Sequence, residues 1–63
     1  MPTTEQLLGQ IREIYFRAKP DTIDTDLARA IALLKTIPGE EDRQRADVYM
    51  EGLNEMRKEW GKP

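Results

Sequence analysis

Apolar residues recur along most of this chain at intervals of three and four, the spacing that gathers them on one face of an α-helix. The densest such stretch is residues 23–37, IDTDLARAIALLKTI. At 100° per residue, with Leu27 at zero, Ile23, Ala30, Ile31, Leu34 and Ile37 all fall within roughly 80° of it, with Ala28 at the edge and Leu33 beyond. A helix with so wide an apolar surface needs cover on two sides, from its own chain or from a second copy.

Two further stretches can supply that cover. Near the N-terminus, Leu7, Ile11, Ile14 and Ala18 follow at four, three and four, widened by Leu8 and Tyr15. Thr3 with Gln6 three residues later matches a capping box, which sets the start of this helix, and Glu13 and Arg17 form a favourable i,i+4 pair. Towards the C-terminus, Ala46, Tyr49, Leu53, Met56 and Trp60 make one seam with Met50 beside it. Glu40, Glu41 and Asp42 open that helix and Arg57 and Lys58 close it, the charge order a helix dipole favours; Gly61 and Lys62 follow as its stop.

Prolines at positions 2, 20, 38 and 63 punctuate these stretches, because proline has no N–H to donate and clashes with the preceding helical turn. The even spacing of the first three is not a repeat: apolar residues sit at different offsets from each. Lys19-Pro20-Asp21-Thr22 reads as a turn, with Thr22 or Asp24 capping the next helix, and Pro38-Gly39 as a second. The expectation is an all-α fold, a small antiparallel three-helix bundle with helices at about 3–18, 23–37 and 40–60. It forms one domain over residues 1–63, and the third helix offers a seam through which two copies could close. That helix, at ~30 Å against about 21–23 Å for the others, should overhang them.

Two large side chains do not fit the stripes. Phe16 points away from its own helix's apolar face, so it either folds against the 19–23 connection or stands as a partner-binding ring. Val48 likewise points outward and is expected on the surface singly. Tyr49 and Leu53 belong to the core; Trp60, in the overhang, is divided between core and exposed anchor.

The 63 residues contain neither Cys nor His, which removes disulfides, thiolate metal sites, the commonest metal ligand and the usual general base. Ten basic and twelve acidic side chains are interspersed and give a net charge of −2, a small acidic protein with little attraction for phosphate or anionic membranes. The cluster Asp21, Asp24 and Asp26 lacks the glycine and distal glutamate of a calcium loop, and acids at a helix start answer to the dipole. No glycine-rich phosphate loop, membrane-length apolar run or targeting segment is visible, so no cofactor, metal, small-molecule substrate or membrane is expected, and the location expected is cytoplasmic.

With catalysis unsupported, the reading is a non-enzymatic protein–protein interaction module, an accessory or regulatory protein. It would act on another protein, or on a second copy, through exposed apolar residues on helices 1 and 3: Phe16, Met56 and Trp60. A helix-turn-helix DNA-binding regulator using helices 2 and 3 is the alternative, although Glu40, Glu41 and Asp42 would meet phosphate with the wrong sign. A symmetric homodimeric scaffold or assembly subunit is the other.

Overall fold

A computed structural model describes residues 2–61, and among these it contains three helices and no strand. Helix α1 spans Thr4–Arg17, α2 Ile23–Lys35 and α3 Glu40–Trp60. Each helix packs on both others, so the bundle closes on itself. Short connections reverse the chain twice, which leaves α1 and α3 running in the same direction: Glu5 pairs with Arg45 near their starts and Tyr15 meets Gly52 further along. At 21 residues α3 is half as long again as α1, and the molecule measures 39 Å in its greatest extent.

The capping box closes as the sequence implies. Thr3 Oγ1 accepts from Gln6 N at 3.2 Å, and Gln6 Oε1 accepts from Thr3 N at 2.9 Å, so two otherwise orphaned N–H groups are satisfied reciprocally. At the start of α2 the outcome differs. Thr22 occupies the N-cap position in helical rather than extended geometry, and neither it nor Asp24 caps an amide by side chain. Thr22 Oγ1 donates instead to Asp26 Oδ2 at 2.7 Å, while Asp24 is drawn to Arg57 of α3.

Helix α2 ends two residues before the sequence pattern does. Pro38 disfavours helical geometry at Ile37, so the chain tightens into three-residue turns, with Thr36 N donating to Leu33 O and Ile37 N to Leu34 O. Ile37 leaves the helix yet still enters the core, 2% exposed. Helix α1 likewise stops at Arg17, with Ala18 already extended ahead of Pro20. Gly61 ends α3 through its N–H to Arg57 O at 2.9 Å. Lys62 and Pro63 lie outside the described residues.

The core comprises Leu7, Leu8, Ile11 and Ile14 from α1, Ile23, Leu27 and Ala30 from α2, Ile37, and Ala46, Met50 and Leu53 from α3. Burial here is wholly apolar among the described residues: no polar or charged residue is buried and no buried side-chain N or O atom lacks a partner. The wide apolar surface expected of α2 is only partly covered. Leu33 and Leu34 are half-buried, Ala28 lies open, and Ile31 is 38% exposed. Two partner helices reach about half the circumference of a third, and Ile31 stands at the margin of that reach. No described helix is long and apolar enough to cross a membrane.

Candidate functional site

The three residues singled out from the sequence occupy different surroundings. Phe16, at the end of α1, is 67% exposed; its ring stands edge-on to Tyr15 at 5.3 Å and lies beneath the Arg12 guanidinium at 5.5 Å. Both contacts are near neighbours on α1, so the ring leans along its own helix. Met56 is half-buried against the core. Trp60, on the last turn of α3, is 39% exposed. It borders an open groove of about 540 Å³ with Pro20, Ile23, Asp24 and Arg57, where the last turns of α3 pass the α1–α2 connection.

Val48 is 69% exposed, more than Phe16. It lies one helical turn from both Arg45, which pairs with Glu5, and Gly52, which meets Tyr15. On α1 the matching row is Glu5, Gly9, Arg12 and Phe16, spaced four, three and four. Between these rows runs a second groove of about 300 Å³, lined by Glu5, Leu8, Gly9, Arg12, Arg45 and Tyr49. Neither Phe16 nor Val48, the two most exposed large apolar side chains, lines this groove.

Two glycines shape that groove in opposite ways. A Cβ at Gly52 would lie 2.3 Å from Tyr15 Cε2, so the bare backbone there admits the Tyr15 ring, which also stands edge-on to Tyr49 at 5.6 Å. At Gly9 a Cβ would meet nothing within 4 Å. A glycine inside a helix costs about 1 kcal/mol against alanine, and at position 9 no contact within the molecule offsets it. Neither glycine emerges from apolar periodicity; the available signal was an isolated glycine inside two otherwise regular helical patterns.

Electrostatics at the mouth of this groove are those of a wet surface. Arg45 Nη1 donates to Glu5 Oε1 at 3.2 Å and lies 3.3 Å from Asp42 Oδ1. Hydrogen bonding and charge from Glu5 first, with a smaller contribution from Asp42, raise this guanidinium above its ordinary value. Asp24 and Asp26 are engaged separately, with Arg57 and Thr22, and no three His, Cys, Asp or Glu side chains come together to hold a cation among the described residues. No protein-family model, curated protein or solved structure matches the chain.

Proposed function

We propose that this protein is a non-enzymatic protein–protein interaction module that docks another protein through exposed apolar side chains on α1 and α3. The observation that carries this reading is the exposure of Phe16, Val48 and Trp60 on a domain small enough to need every large apolar residue inside. Aromatic side chains set in a polar surround are the usual anchors of protein interfaces. The residue chemistry agrees: with no His or Cys and no charged residue buried among those described, no side chain is set where burial would tune it for acid–base or nucleophilic work. The first turn of α3 carries Glu40, Glu41 and Asp42, which favours a protein partner over nucleic acid.

The test is affinity capture from the organism of origin with the wild-type chain and with Phe16→Ala and Trp60→Ala, each verified to melt like the parent. A partner retained by the wild type and lost by either variant is the expected result. Identical captured sets for all three chains would overturn the reading.

A further inference from the structure

We infer that the outward face of α2 is a self-association surface, on which a second copy of this chain packs antiparallel about a two-fold axis through Asp24, Ala28, Ile31 and Lys35. This goes beyond the docking of another protein and uses none of Phe16, Val48 or Trp60.

Cover is what α2 lacks. Ala46, Met50 and Leu53 of the α3 seam are spent inside the bundle, whereas the apolar arc of α2 is wider than its two neighbours reach. Ile31, 38% exposed, is the large apolar side chain of α2 left on the surface, and Ala28 lies open one turn before it. Asp24 and Lys35 extend the same row, and all four residues are exposed. At 100° per residue they fall within about 60° of one another, a single narrow stripe along the helix. Ile23, Leu27 and Ala30 are buried in the core, so a partner can reach the stripe without opening the bundle.

The order of residues in the stripe selects a second copy as the occupant. A two-fold contact requires that whatever position faces another is faced by it in return. The spacing of four, three and four reads the same from either end, so antiparallel α2 helices set Asp24 opposite Lys35 of the second copy and Ala28 opposite its Ile31. Acid then meets base at both ends, and the small side chain leaves room for the protruding one. A parallel pairing would instead set Asp24 on Asp24 and Lys35 on Lys35, so charge also fixes the direction. Both charges are available for this. Lys35, in the last turn, takes part in no ion pair among the described residues. Asp24 engages Arg57 through Oδ1 with its side chain 79% exposed, and a carboxylate accepts at both oxygens. One pair of helices ~20 Å long is a small interface, so monomer and dimer exchange and the dimer grows with concentration.

Sedimentation equilibrium of the full chain from roughly 10 μM to 1 mM, the range of weak contacts, tests the pairing. The wild type should show a monomer–dimer equilibrium. Ile31→Gln, at an exposed position, should weaken it about tenfold, the loss of one good apolar contact. Asp24→Lys and Lys35→Asp each set like charges at both ends of the stripe and should weaken it as well. An equimolar mixture of those two variants restores both pairs across the interface, as does the double variant, and both should recover the dimer. Circular dichroism verifies that each variant keeps the parent helicity, and Phe16→Gln should leave association unchanged. A monomer at every concentration overturns the proposal. So does a dimer indifferent to Ile31→Gln, or charge variants that fail to rescue one another. A dimer lost with Phe16→Gln overturns it too, by placing the contact on α1. None of these results bears on capture of another protein through Phe16 or Trp60, so the two readings stand or fall separately.

Discussion

The Tyr15 ring occupies the space that a side chain at position 52 would need, its Cε2 lying 2.3 Å from where a Gly52 Cβ would be. Two effects of Gly52→Ala therefore oppose each other. Helix propensity favours alanine by about 1 kcal/mol, while overpacking against a ring held by Tyr49 costs typically ~1–3 kcal/mol. A ring cannot bend away like the end of a long chain, so the clash wins. Thermal unfolding followed by circular dichroism should show Gly52→Ala melting below the parent. In a Tyr15→Ala background the sign should reverse, because only the propensity gain is left; a lowered melting temperature in both backgrounds would refute the contact as the cause.

Gly9 supplies the contrasting case. Nothing within 4 Å awaits a Cβ there, so Gly9→Ala should stabilise the free domain by about 0.5–1 kcal/mol, a rise of roughly 2–8 °C in melting temperature for a domain this size. Thermal unfolding followed by circular dichroism checks it, and a lowered melting temperature would mean that position 9 is not open.

Those two glycines mark where sequence reasoning ended. Periodicity found all three helices, and the capping box at Thr3 and Gln6 and the turns at Pro20 and Pro38 followed from residue chemistry, because these are local. Thr22 was legible as a boundary but not in its bonding, since the competing acceptor, Asp26, lies one turn into the helix. Ile31 was misjudged for a different reason: an angular position near the centre of an apolar arc does not say how far two neighbours reach around it. The surface is less legible again. Which side chains line the groove between α1 and α3 depends on how the two helices lie side by side, and helical spacing within one segment carries no information about that.

Ion pairs should contribute little despite short geometry. Arg57 Nε reaches Asp24 Oδ1 at 2.7 Å and joins α3 to α2, but both side chains stand mostly in water. Exposed pairs are worth about 0–1 kcal/mol and are screened by salt. Arg57→Gln should lower stability by less than about 1 kcal/mol in chemical denaturation, and molar sodium chloride should erase the difference. A loss of several kcal/mol would mean that this pair, rather than apolar packing, fixes α2 against α3.

Ile37 and Ile31 offer the sharpest comparison of helix membership with burial. Ile31 lies within α2 and is 38% exposed, whereas Ile37 lies outside any helix and is 2% exposed. If burial governs, Ile37→Ala should cost about 2–5 kcal/mol, the range for deleting a buried isoleucine side chain, and Ile31→Ala under ~1 kcal/mol, because much of its surface is already wet and alanine favours the helix. A domain of this size has only about 3–9 kcal/mol in total, so Ile37→Ala should lose a large part of its stability and unfold at a much lower denaturant concentration, while Ile31→Ala stays near the parent midpoint. Circular dichroism at 222 nm with a denaturant titration decides it. Equal losses for the two variants would mean that Ile37 does not close the core and that the turn at Pro38 is held by its backbone bonds alone.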